Sequence, residues 1–138
     1  EILLVEDGLT DARVTIYALR RSQVFHRLTL VRTIREAMMF LDCEGIFARA
    51  PKPDLILLDL MLPDGSGLEV LEALSGRNPT TRPTSVVLTA SQDATLRERC
   101  RELQVSGFMT KPVGEHDFKR VVREHKKLMV HSTPILSS

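Results

Sequence analysis

Cysteine is scarce: Cys43 and Cys100 are the only two in 138 residues, far apart and without a CxxC spacing. That scarcity disfavours a disulfide framework or a cysteine metal site and fits a reduced, cytoplasmic compartment. No apolar run approaches the roughly 20 residues needed to cross a bilayer. No basic-then-apolar leader precedes the first apolar run, so no membrane attachment is expected and a targeting segment is expected to be absent or to have been removed. Net charge is also nearly absent, with 19 Lys and Arg against 18 Asp and Glu for a formal +1. Such a balance argues against a nucleic-acid face held by charge alone. The densest basic group, Arg97, Arg99 and Arg101, alternates with acids and reads as a solvated helix face.

What is present is 43% apolar residues, enough for one core without covalent staples. The expected division is one domain over 1–130 and a frayed tail over 131–138. Five apolar runs read as strands: Ile2–Val5, Leu28–Val31, Leu55–Leu58, Ser85–Leu88 and the short Gly107–Met109. Helical patterns alternate with them. Thr10 or Asp11 can cap the first helix, which carries Val14, Tyr17 and Ala18 and runs through Gln23. Thr33-Ile34-Arg35-Glu36 and Ser66-Gly67-Leu68-Glu69 both have capping-box form and open the second and third helices. Asp64 would also serve the third helix, Ser91 can cap the fourth, and Phe118, Val121, Val122 and Leu128 mark the fifth. Ile46–Pro53 reads as a long loop.

Strands this uniformly apolar are buried on both faces, which predicts an α/β fold, a five-stranded doubly wound parallel sheet of flavodoxin-like order 2-1-3-4-5. In such sheets ligands bind beyond the carboxyl ends of the strands, where the order reverses. The reactive side chains stand there. Glu6 and Asp7 end strand one, Asp59 ends strand three, Thr89 ends strand four, and Lys111 follows strand five. Three converging carboxylates repel one another, and a hard divalent cation such as Mg²⁺ removes that conflict. Asp59 could then act as a nucleophile toward phosphorus, with Lys111 and Thr89 stabilising phosphoryl oxygens. Taken singly each residue has a plain structural use: a cap for Asp7, a surface ammonium for Lys111. Their joint placement at strand ends favours the functional reading.

Together Glu6-Asp7, "LLDLMLPDGSG", "VVLTAS" and "GFMTKP" resemble the receiver domain of bacterial two-component response regulators, over nearly the whole chain. The resemblance implies that Asp59 accepts a phosphoryl group from a sensor histidine kinase and that the protein is a phosphorylation-driven switch rather than an enzyme with an external substrate. Its only catalysis would be its own phosphorylation and dephosphorylation. It implies Mg²⁺ held by Asp7, Asp59 and the backbone carbonyl of Met61, with Glu6 acting through water. It implies Thr89 and Lys111 as phosphoryl-binding groups, Thr89 and Phe108 as the switch pair, and Pro112 as the family's cis-proline. Added charge on Asp59 would draw Thr89 inward and shift the population between two packings of the helix four–strand five–helix five surface. The long loop before strand three and the "LTAS…FMTKP" spacing look like single-domain regulators of phytochrome kinases, although Met61 stands where those often have Asn. The implied partners are thus a sensor kinase, a phytochrome among the candidates, a downstream protein target, and a second copy for a homodimer through helix four and strand five. Met61 and Ser91 flank the approach of water and are expected to tune hydrolysis.

A haloacid-dehalogenase-type phosphatase wants a second Asp two residues after the nucleophile, where Met61 stands. A flavin carrier wants a hydroxyl- and glycine-rich loop after strand one, where Glu6 and Asp7 would repel a phosphate. The remaining alternative concerns role: a receiver module of a hybrid kinase or longer regulator, relaying phosphate onward.

Overall fold

The apolar runs do form strands. A computed structural model of the chain describes residues 1–90, 93–125 and 128. Five parallel strands, β1 (Ile2–Val5), β2 (Leu28–Val31), β3 (Leu55–Asp59), β6 (Thr84–Thr89) and β7 (Gly107–Thr110), lie in the order β2-β1-β3-β6-β7. This is the predicted 2-1-3-4-5 order; the labels shift because a two-stranded ladder, β4 (Met61–Leu62) with β5 (Gly65–Ser66), intervenes after β3. The sequence pattern gave no sign of it, since two-residue strands have no periodicity.

Alternate strand residues pack on opposite faces. Leu4, Leu57 and Leu88 lie against Ala18, Leu19, Phe118 and Val121 of α1 (Leu9–Arg21) and α5 (Glu115–Glu124). Leu3, Ile56 and Val87 lie against Ala37, Phe40, Leu71 and Cys100 of α2 (Ile34–Leu41), α3 (Leu68–Ser75) and α4 (Ala94–Glu102). Each fully buried Leu or Phe contributes about 1.5–3 kcal/mol. The central strands β1 and β3 are apolar throughout until the acids at the carboxyl ends.

Several helix boundaries differ from the sequence reading. α1 starts at Leu9 with Gly8 as its N-cap, a few residues before the position that Thr10 or Asp11 would cap. Its buried face is Ala12, Thr15, Ala18 and Leu19, whereas Val14 and Tyr17 are exposed. It stops before Gln23, whose φ of 61° is incompatible with helix. Thr33 caps α2 by accepting from the Glu36 N–H at 3.0 Å, while Glu36 Oε1 accepts from the Arg32 N–H and the Thr33 hydroxyl rather than from the Thr33 N–H. The Ser66–Glu69 box does not form; Ser66 Oγ accepts from the Leu68 N–H. Asp64 caps α2 instead of α3, accepting from the N–H groups of Ile34 and Arg35 at 2.9 and 3.1 Å. Asp93 caps α4 by accepting from Thr95 and Leu96, while Ser91 lies outside the described residues. The stretch read as loop begins inside a 3-10 turn, Gly45–Phe47, whose Phe47 meets Phe40 edge-on at 5.3 Å. The expected tail 131–138 also lies outside the described residues.

Candidate functional site

β1 and β3 are neighbours in register, Val5 beside Leu58. The next residues, Glu6 and Asp59, therefore emerge side by side at the carboxyl edge. Asp59 itself is paired with Leu88 of β6, so Thr89 stands one position further along. Thr89 is buried, and its carbonyl accepts the Lys111 N–H at 3.0 Å, which ties the ends of β6 and β7 together. The Lys111–Pro112 bond is cis.

The ammonium of Lys111 is the hub. Its Nζ lies 2.6 Å from Glu6 Oε1, 2.9 Å from Asp59 Oδ2 and 3.3 Å from Asp11 Oδ2. Asp59 Oδ1 meanwhile accepts the Met61 N–H at 3.0 Å. Burial pushes Glu6 up, and the neighbouring Asp59 pushes it further, so its carboxyl titrates above the usual range despite Lys111. Burial acts upward on Asp59 too, but hydrogen bonds from Glu6, the Met61 N–H and Lys111 outweigh it and hold Asp59 below its ordinary value. Burial of Lys111 works against its charge, yet its contacts with Glu6 and Asp59 raise its pKa well above that of a free lysine. Two carboxyls in one pocket are thus pushed apart, with Asp59 held further toward its ionised form.

Not every expected residue joins this cluster. The Asp7 carboxylate turns to Arg32, whose Nη2 donates to the Asp7 carbonyl at 3.0 Å and to Oδ1 at 3.3 Å. Among the described residues no three His, Cys, Asp or Glu side chains gather closely enough to hold a metal ion. The donor set still suits a hard cation, because all candidates offer oxygen. Glu6 Oε1 is buried and makes no hydrogen bond of acceptable geometry despite its ion-pair contact with Lys111. Phe108 is partly buried on the α4 side of β7, with the guanidinium groups of Arg97 and Arg101 over its ring at 4.9 and 5.7 Å. This corrects the reading of that arginine run as a purely solvated face: Arg97 Nε is buried with no hydrogen-bond partner.

Sequence reasoning missed Asp11 and Arg32. Starting α1 at Leu9 brings Asp11 to Lys111; it had been weighed only as a cap. Arg32 follows Val31, which pairs with Val5, so the parallel register brings it level with Glu6, and its side chain reaches the next residue, Asp7.

The sequence profile of the Response regulator receiver domain matches residues 2–123. The response regulator Rcp1 of Synechocystis sp. is 37% identical over 122 residues, covering 88% of this chain and 83% of its own length. A crystal structure of the Mn²⁺-bound form of Rcp1 superposes with a TM-score of 0.75 at 38% identity, covering 87% of each chain. The phosphorylated cyanobacterial phytochrome response regulator RcpA gives a TM-score of 0.75 at 39% identity, covering 89% of this chain and 88% of its own.

Proposed function

The chain belongs to the response regulator receiver domain family, a signalling phosphoacceptor of two-component systems, and from that premise we propose that Asp59 is the residue that takes the phosphoryl group. The observation that carries this is the pairing of Asp59 Oδ2 with Lys111 Nζ at 2.9 Å while Oδ1 is fixed by the Met61 N–H. An ionised carboxylate held at both oxygens is oriented for in-line attack on phosphorus and keeps its nucleophilic charge. The bond formed is Asp59 O–P, and the bond broken joins phosphorus to the phospho-histidine nitrogen of the kinase.

Lys111 follows the transferred group, moving its charge from Asp59 to the phosphoryl oxygens, and the Thr89 hydroxyl donates to the same oxygens. Glu6, Asp7, Asp59 and the Met61 carbonyl are the groups that would hold a divalent cation. That cation, Mg²⁺ in this reading, would neutralise charge on the phosphoryl oxygens; the Mn²⁺-bound Rcp1 structure supports divalent binding. In this reading the only chemistry catalysed is the chain's own phosphorylation and hydrolysis. Phosphorylation draws Thr89 toward Asp59 and lets Phe108 rearrange, altering the α4–β7–α5 surface seen by a downstream target or a second copy. Receiver domains interact with histidine kinases, and the likeness to RcpA supports a phytochrome kinase as the donor. Among the described residues no helix is long and apolar enough to cross a membrane, and we place the receiver unit, residues 1–130, in the cytoplasm with its kinase.

The test is beryllofluoride, a mimic of the acyl phosphate, added with Mg²⁺ to wild type and to Asp59→Asn. Amide shifts at Thr89, Phe108 and Lys111 are expected in wild type and lost in the variant. An unchanged wild-type spectrum sinks the assignment.

A further inference from the structure

Arg32 has no part in the chemistry above, yet it occupies the carboxylate nearest to it. Its backbone N–H is tied to Glu36 Oε1 at 3.1 Å at the mouth of α2, so the side chain starts from a fixed point. One nitrogen, Nη2, then reaches both the Asp7 carbonyl and Asp7 Oδ1. The carbonyl contact keeps the guanidinium beside Asp7 whether or not the carboxylate is available. Asp7 is at the same time the proposed direct ligand that stands apart from Glu6 and Asp59.

We infer that Arg32 competes with the divalent cation for the Asp7 carboxylate and so sets the metal affinity of the site. This rests on the reading that Asp7 is a metal ligand. A cation entering the pocket must draw Oδ1 away from a guanidinium and must then tolerate that positive charge close by. Both effects weaken binding. The pair is about half exposed, with 49% of the Arg32 and 46% of the Asp7 side chain accessible. Ion pairs of that exposure are weak and screened by salt, so removing the competitor should tighten binding only about two- to fivefold.

The experiment is a Mn²⁺ titration, reading free Mn²⁺ by electron paramagnetic resonance, on wild type, Arg32→Ala, Arg32→Gln and Asp7→Asn. Circular dichroism confirms that each variant is folded. Both Arg32 variants should bind about two- to fivefold tighter at low ionic strength, with the gain shrinking in high salt. Asp7→Asn should bind more weakly than wild type. If Asp7→Asn is weakened but either Arg32 variant binds no tighter than wild type, the competition is overturned while the ligand role of Asp7 stands. If Asp7→Asn binds like wild type, the ligand role itself falls and takes the competition with it.

Discussion

Replacing Lys111 with methionine removes a cation in contact with both Glu6 and Asp59. At 2.6 and 2.9 Å and an effective dielectric of about 20, each contact is worth on the order of 6 kcal/mol before desolvation. Most of that is offset by taking the three groups out of water. Removing one partner of a buried ion pair typically leaves a net loss of about 3–5 kcal/mol. Glu6 is 1% exposed but Asp59 and Lys111 are 13% and 14% exposed, so water reaches part of the cluster and the lower end, about 3 kcal/mol, applies. For a chain of this length that is a fall of roughly 10 °C in Tm. The deficit must depend on pH. Without the ammonium both carboxyls lie higher than in the folded wild type, so the folded variant binds more protons than folded wild type at intermediate pH. Its stability relative to wild type therefore falls as pH rises and recovers as pH drops. Urea unfolding of both proteins from about pH 5 to about pH 8 measures this, with the deficit largest at the alkaline end. An equal deficit across that range would refute the electrostatic argument and leave Lys111 with a packing role alone.

Other substitutions probe the scaffold. A Cβ on buried Gly67 would sit 2.5 Å from the Asp59 carbonyl and 3.0 Å from Leu60 Cα, so Gly67→Ala should lose about 1–3 kcal/mol in denaturant unfolding and slow phosphorylation by displacing Asp59. Asp64→Ala removes the cap on Ile34 and Arg35 and should lose about 1 kcal/mol at neutral pH. Because those N–H groups depress the Asp64 pKa, the difference from wild type should fade as pH falls below its ordinary value of 3.8, as acid unfolding curves would show. Arg97→Ala removes the closer cation over Phe108 but also a buried unpartnered Nε. The two effects oppose, so thermal melts should move by less than about 1 kcal/mol while the Phe108 ring resonances shift.

The sheet could be read from the sequence because a strand buried on both faces needs a nearly continuous apolar run, and only Thr29 and Ser85 interrupt or open the runs. The order followed from parallel pairing and the position of the polar strand ends. Capping could not be read in the same way. Asp64 lies just before α3 in the chain, yet the neighbouring strands β1 and β3 bring the end of β2 near enough for it to serve α2. A carboxylate caps whichever free N–H groups the fold presents, and a local motif shows only those adjacent in sequence. α1 was misread for a related reason. Val14 and Tyr17 carried the apolar signal but face solvent, while the small residues Ala12, Thr15 and Ala18 make the contact with the sheet.

The same distinction governs the site. Which residues stand at the strand ends is a property of each strand taken alone, so Glu6, Asp7, Asp59, Thr89 and Lys111 could be placed from sequence. Which of them touch depends on register and on charge balance across the edge. One lysine cannot satisfy four carboxylates. It settles on the two most buried, where an unpaired charge is most costly, and on Asp11, which the helix carries past it. Asp7, half exposed, is left to the nearest other cation, Arg32. The two buried acids are also set apart, by burial and by their own contact: Glu6 is pushed toward holding its proton and Asp59 toward losing it. A nucleophile needs its charge and an electrostatic neighbour must not compete for the incoming phosphorus. Lys111 draws both carboxyls toward ionisation, so it is the deeper burial of Glu6 and the Glu6–Asp59 contact that set the two acids apart, in the direction the proposed phosphoacceptor role of Asp59 requires.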